Sequence, residues 1–167
     1  MKKTLYLIGG PMGVGKTTVC QAMKRLLPKS VYLDGDWCWD ASPFQVTMET
    51  KAMVMDNICH TLNNFLACSA YENVIFGWVM DRQSIFDELK DGLRLESTEV
   101  VLVSLLCAPE ELEERLGRDI ARGLRDPDVV KRSLQRLPLY NDLNTRKVDT
   151  TGKAVEEVVN RIVKTDN

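Results

Sequence analysis

Five short apolar runs alternate with stretches in which apolar residues return every three or four positions. The runs are Lys3-Thr4-Leu5-Tyr6-Leu7-Ile8, Val31-Tyr32-Leu33, Asn73 to Met80, Val100 to Leu106, and the brief Lys147-Val148-Asp149. Runs this short, β-branched and bounded by breakers, predict strands buried on both faces. Helical spacing predicts a helix over Thr17–Leu27, with Val19, Met23, Leu26 and Leu27 on one side. A longer one is expected over Val46–Ala70, where Val54, Ile58, Leu62 and Phe65 form a stripe. Asp81 is placed to cap a short helix through Leu89. Glu110–Leu124 is predicted helical, as is Val129–Asn141 despite Pro138, and a last helix runs from Ala154 to Val163. Strands alternating with amphipathic helices imply an α/β fold, a parallel sheet covered on both faces. No repeat or linker divides the chain, so residues 1–167 are expected to form one domain.

Composition adds little to that picture. Hydrophobic residues make up 44% and charged residues 28% of the chain, ordinary for a soluble protein. A net charge of −2 supplies no pull toward polyanions, which argues against a nucleic-acid partner. No run is long enough to span a bilayer, and no cleavage site separates the first strand from the glycine-rich stretch after it, so a cytoplasmic protein without a membrane partner is expected. Five cysteines form no C-x-x-C pair and read as free thiols. The single histidine, His60, leaves no scope for a histidine-based triad and no metal-ligand cluster.

Candidate chemistry begins at Gly10-Pro11-Met12-Gly13-Val14-Gly15-Lys16-Thr17, which matches G-x-x-x-x-G-K-[ST] and lies between a predicted strand and a predicted helix. Glycines let backbone N–H groups turn inward toward phosphate oxygens, and the helix N-terminus favours the same anion. Lys16 is placed to reach the outer phosphates and the Thr17 hydroxyl to ligate magnesium; Thr18 opens the helix beside them. Gly10, Met12, Gly13, Val14, Gly15, Lys16, Thr17 and Thr18 are therefore the expected nucleotide-binding residues.

Asp34-Gly35-Asp36 closes the second predicted strand. Ligands of open α/β sheets sit beyond the carboxyl ends of the strands, so both carboxylates are candidates for the site. Asp34 is expected near the metal, with Asp36 aligning an acceptor hydroxyl and taking its proton. An Asp-Gly turn without function is the plain alternative. Neither the third nor the fourth strand ends in an acidic residue, which leaves Asp34 as the carboxylate for metal.

Arg115, Arg118, Arg122 and Arg125 recur at intervals that fall within roughly an 80° arc of one helix. Glu111 stands four residues before Arg115, so Arg115 reads as a solvated partner of that glutamate. Arg118, Arg122 and Arg125 lack enough acidic partners and are the candidates for clamping phosphates, with Gly123 as the bend of a closing segment. Trp37 and Trp39 follow the two aspartates and Trp78 ends the third predicted strand at the same edge of the sheet, so the three are expected to wall an acceptor pocket.

Taken in order, Gly10 to Thr18, Asp34-Gly35-Asp36, Arg115-Leu116-Gly117-Arg118 with Arg122, and Asp149-Thr150-Thr151-Gly152 resemble the P-loop small-molecule kinases, the nucleoside monophosphate kinase-like superfamily that includes shikimate kinase, gluconate kinase and chloramphenicol phosphotransferase. The resemblance implies a five-stranded parallel sheet of order 2-3-1-4-5 flanked by helices. It further implies a small helical lid over about residues 115–128 and Mg²⁺-dependent transfer of the γ-phosphoryl group of ATP. It places Thr151 and Gly152 beside the adenine and Asp36 at the acceptor hydroxyl. The third strand ends in Phe76-Gly77-Trp78, matching neither the Asp-Gly pair of monophosphate kinases nor the glycine cluster of shikimate kinases.

The expected activity is phosphoryl transfer to a hydroxyl or phosphate of a small metabolite, antibiotic or nucleotide, by a monomer or homodimer. Catalytic roles fall to Lys16, Asp36, Arg118 and Arg122, acceptor contacts to Asp34, Asp36, Trp37, Trp39 and Trp78, and metal to Thr17 and Asp34. A regulatory ATPase or GTPase module without an acceptor is the first alternative. A polynucleotide 5′-kinase is the second, and it lacks the basic channel such a substrate needs.

Overall fold

A computed structural model describes residues 2–164 of the chain. Its five strands are β1 (Lys3–Gly9), β2 (Ser30–Asp34), β3 (Asn73–Gly77), β4 (Thr98–Leu106) and β5 (Arg146–Asp149). They form one sheet in the order β2-β3-β1-β4-β5, every neighbouring pair parallel. Six helices connect and cover them: α1 (Lys16–Leu26), α2 (Met48–Ala67), α3 (Gln83–Gly92), α4 (Pro109–Ala121), α5 (Val129–Arg136) and α6 (Val155–Val163).

Central strand β1 shows why its sequence is apolar throughout. Leu5 and Leu7 point to one face, where they join Ile58 and Leu62 of α2 and Phe86 and Leu89 of α3. Tyr6 and Ile8 point to the other, against Cys20 and Met23 of α1, Leu112 of α4 and Val159 of α6. Successive side chains of a strand face opposite ways, so a strand with helices on both sides has no polar face. Each fully buried leucine or isoleucine contributes about 1.5–3 kcal/mol relative to exposure.

Several boundaries differ from the sequence reading, each for a local reason. Helix α2 starts at Met48 because Thr47 caps it. The Thr50 N–H donates to Thr47 Oγ1 at 3.1 Å, and the Thr47 N–H donates to Thr50 Oγ1 at 2.8 Å. Asp81 does not cap α3; Arg82 holds that position, and the Asp81 carboxylate turns to Arg136 at 3.6 Å. Strand β3 stops at Gly77, opposite Asp34, the last residue of β2, and Ile8, one residue before the end of β1. Helix α5 ends at Arg136, and the segment over Leu137–Asp142 that contains Pro138 is a tighter 3-10 turn. Helix α4 ends at Ala121, two residues before Gly123, whose φ of +71° turns the chain out of the helix.

Candidate active site

The carboxyl ends of β1, β2 and β3 open into a cleft of about 440 Å³. Its floor is the loop between β1 and α1. Gly13 there has a φ of +86°, and a Cβ on it would lie 2.6 Å from the Leu116 side chain of α4. No other residue fits both that backbone and that approach. Gly15 precedes α1 with a φ of +102°, and no side chain caps the helix, so its first N–H groups face the cleft unpaired. Lys16 folds back over this loop: its Nζ donates to the carbonyl oxygens of Gly10 at 2.8 Å and Pro11 at 2.9 Å. Burial lowers its pKa to about 8, against the opposing pull of Asp36, Cys20 and Asp34.

Asp34 and Asp36 both line the cleft. Three donors converge on Asp34. Its Oδ2 accepts from Thr17 Oγ1 at 3.3 Å and Tyr32 Oη at 2.9 Å, and its Oδ1 accepts from the Asp36 N–H at 3.0 Å. Tyr32 precedes Asp34 by two residues on the same strand face, which is why it reaches. Asp36 Oδ1 accepts from the indole Nε1 of Trp78 at 3.2 Å. Burial and the Asp34 charge push the Asp36 carboxyl above its ordinary range, only partly offset by Lys16 and Trp78.

Of the three tryptophans, only Trp78 lines the cleft. Trp37 is 60% exposed and meets Tyr32 edge-on at 5.3 Å, while Trp39 stacks on Phe44 at 4.4 Å. The 3-10 turn over Gly35–Cys38 rotates the chain after Asp36, so Trp37 and Trp39 leave the sheet edge that Asp34 and Asp36 occupy.

Opposite the carboxylates stand the arginines. Arg118 lines the cleft and pairs loosely with Glu114 at 3.8 Å. Arg122 and Arg125 also line it, but from the turn after α4 rather than from one helical stripe. Arg125 is held by Asp119 at 3.1 Å. Arg115 is not the solvated residue its spacing suggested. Its guanidinium is ion-paired with Glu111 and donates from Nη1 to the Val14 carbonyl oxygen at 2.8 Å, inside the phosphate loop.

The turn after β5 completes the wall. Thr150 and Lys153 line the cleft, as do Val155 and Val158 of α6. Thr151 and Gly152 instead build the turn between them. Thr151 Oγ1 accepts from the Ala108 N–H at 2.8 Å, and the Gly152 N–H donates to Glu111 Oε2 at 3.0 Å. Sequence reasoning missed Lys153; its one signal is its place directly after a Thr-Gly turn at a strand's carboxyl end. Six cations (Lys16, Arg115, Arg118, Arg122, Arg125 and Lys153) thus share the cleft with three carboxylates, Asp34, Asp36 and Asp119. The local surplus of positive charge is hidden by the net −2 of the whole chain.

Residues 7–126 match the AAA domain, and the chain belongs to that family. It is similar over 96% of its length to the shikimate kinases of Francisella philomiragia, at 27% identity, and Dehalococcoides mccartyi, at 26%, covering 92% of each. The fold is shared with a gluconokinase from Sinorhizobium meliloti (TM-score 0.67, 19% identity, 96% of this chain and 89% of that one). It is shared too with the tunicamycin resistance protein of Deinococcus radiodurans (TM-score 0.68, 21% identity, 96% and 94%). The shikimate kinase of Acinetobacter baumannii, solved in complex with shikimate, aligns with a TM-score of 0.61 at 21% identity over 98% and 92%. Strand order and phosphate loop place the chain in the class of P-loop small-molecule kinases.

Proposed function

We propose that the protein transfers the γ-phosphoryl group of ATP to a hydroxyl of a small organic acceptor, with magnesium. The observation that carries this reading is the facing arrangement of Thr17, Asp34 and Asp36 on one side of the phosphate loop and the arginines on the other. Loop N–H groups and Lys16 bind the β- and γ-phosphates, Lys16 exchanging the carbonyls of Gly10 and Pro11 for phosphate oxygens. The donor set suits magnesium. Thr17 Oγ1 and Asp34 Oδ2 are hard oxygens 3.3 Å apart, and the described residues contain no cluster of three or more acidic, histidine or cysteine side chains that would form an all-protein cage. Thr17 and Asp34 would hold the ion, which when bound would supply charge neutralisation at the phosphate oxygens.

Asp36 orients the acceptor hydroxyl and receives its proton as the acceptor oxygen bonds to the γ-phosphorus and the bond to ADP breaks. Arg118 and Arg122 stabilise the charge that spreads over the transferring group. Residues 115–128 act as the lid, anchored on the phosphate loop at Arg115 and bending near Gly123. Met12, Gly13, Val14, Gly15 and Thr18 contour the loop against the nucleotide, and Thr151 and Gly152 pass beside the adenine. The reading covers residues 1–167 as one kinase domain; residues 1 and 165–167 lie outside the described residues.

Calorimetry with Mg·ATP, followed by acceptor-dependent release of ADP, tests the reading; binding without stimulation by any acceptor counts against it. One observation favours a second reading, a nucleotide-binding module that transfers phosphate to no acceptor. The carboxyl ends of β3 and β4, at Gly77 and Leu106, carry no carboxylate. Slow ATP loss indifferent to every acceptor is its signature.

A further inference from the structure

Charge in the cleft is sorted by side. All six lining cations come from the phosphate loop, from α4 and the turn after it, or from the turn after β5. The opposite wall, built at the ends of β2 and β3, consists of Asp34, Asp36, Gly77, Trp78 and Val79, with no cation. The sequence deepens the asymmetry. From Ser30 to Asp81 the chain has seven carboxylates and one basic side chain apart from His60, the exposed Lys51 of α2. Just past β3, Asp81 pairs with two guanidiniums, Arg82 at 3.8 Å and Arg136 of α5 at 3.6 Å. Neither lines the cleft.

Resting on the phosphoryl-transfer reading above, we propose that the acceptor is a hydroxylated compound without negative charge, either neutral or bearing an amine. An anionic acceptor would set its charge about 5 Å from Asp36 with no cation on that wall to answer it. At an effective dielectric of about 20, that repulsion costs about 300-fold in affinity. An amine meets the reverse field, and the Trp78 ring in the same wall offers an aromatic surface to a cation or to the apolar edge of a sugar or cyclitol. The cations on the other side are no substitute. Arg115 and Arg125 are paired with Glu111 and Asp119, and the rest face the loop that a triphosphate fills. The chain therefore differs in acceptor from the shikimate kinases it is similar to, since shikimate is a carboxylate.

The full chain is tested in two stages. Calorimetry with Mg·ATP comes first, then ADP release with shikimate, D-gluconate and AMP as anionic probes, myo-inositol and D-glucose as neutral ones, and D-glucosamine and 2-deoxystreptamine as amines. The anionic probes are expected to leave ADP release within about twofold of the basal rate, and at least one neutral or amine probe to raise it more than about tenfold. An anionic probe that stimulates as well as the best uncharged one overturns the inference while phosphoryl transfer stands. Mg·ATP binding with no stimulation by any neutral or amine probe overturns it too. Failure to bind Mg·ATP at all defeats the phosphoryl-transfer reading itself, and this inference with it.

Discussion

Arg115 Nη1 donates a 2.8 Å hydrogen bond to the carbonyl oxygen of Val14, joining two residues 101 positions apart in the chain. The bond ties α4 to the crest of the phosphate loop, and Glu111 holds the guanidinium in place from one turn earlier. The side chain is 25% exposed, so the bond is shielded enough to count toward stability.

Arg115→Met keeps the length of the side chain and removes its donors. The Val14 carbonyl loses its partner, and stability is expected to fall by about 1–3 kcal/mol in urea denaturation. Mg·ATP affinity should fall with it in calorimetry. Unchanged stability and affinity would show that the loop holds its shape without α4.

Lys16 makes nucleotide binding a proton-linked event. Its pKa is about 8 when it is buried on its own loop, and a bound triphosphate places anionic oxygens beside it. Binding at pH 8.5–9, an assay choice just above that value, should therefore take up part of a proton, read as a dependence of the calorimetric heat on buffer ionisation enthalpy. Lys16→Met should abolish the uptake and turnover together. The same shift has a consequence for folding. Between about pH 8 and the ordinary lysine value of 10.5 the native state binds fewer protons than the unfolded chain, so this group's contribution to stability increases with pH across that window.

Asp36→Asn is expected to lower kcat by about 10²–10⁴ with an active acceptor while leaving Mg·ATP affinity nearly intact. In the parent protein the rate should fall on the acid side at a pH above the usual carboxylate range, because burial and Asp34 raise the Asp36 pKa. For stability the sign is reversed from that of a salt-bridged carboxylate. The native state holds its proton more tightly than the unfolded chain, so this contribution grows as pH falls through the native pKa toward the ordinary carboxylate value. A pH–rate profile for parent and variant checks the first expectation. An acid limb that survives in Asp36→Asn would assign it to another group.

Gly35→Ala tests the seat of Trp78. A Cβ at Gly35 would lie 2.4 Å from Cγ of the indole, so the ring must move and its bond to Asp36 must break. Overpacking of this kind costs about 1–3 kcal/mol. A lowered Tm with altered tryptophan fluorescence is the expected result; a variant as stable as the parent would mean that the ring has room to shift.

Much of this molecule was legible along the chain. The apolar runs foretold all five strands, because a strand between two helical layers must be apolar on both faces, as Leu5 and Leu7 against Tyr6 and Ile8 show. The spacing of Gly10, Gly13, Gly15, Lys16 and Thr17 announced the phosphate loop because its geometry is local, set by backbone angles within eight residues. Even the place of Asp34 and Asp36 followed, since strand ends define the site of a parallel sheet.

Tertiary structure alone decided the rest. Glu111 four residues before Arg115 suggested a surface pair, and nothing nearby in sequence announced that Val14 would complete it. Trp37 and Trp39 were adjacent to the aspartates in sequence and still turned away, because a 3-10 turn changes direction within one residue of Asp36. Lys153 joined the cleft, and Asp81 captured Arg136, through the packing of elements distant in the chain. Local backbone geometry and periodic burial are encoded by neighbours, whereas the pairing of charges across a cleft depends on which helices the completed sheet brings together.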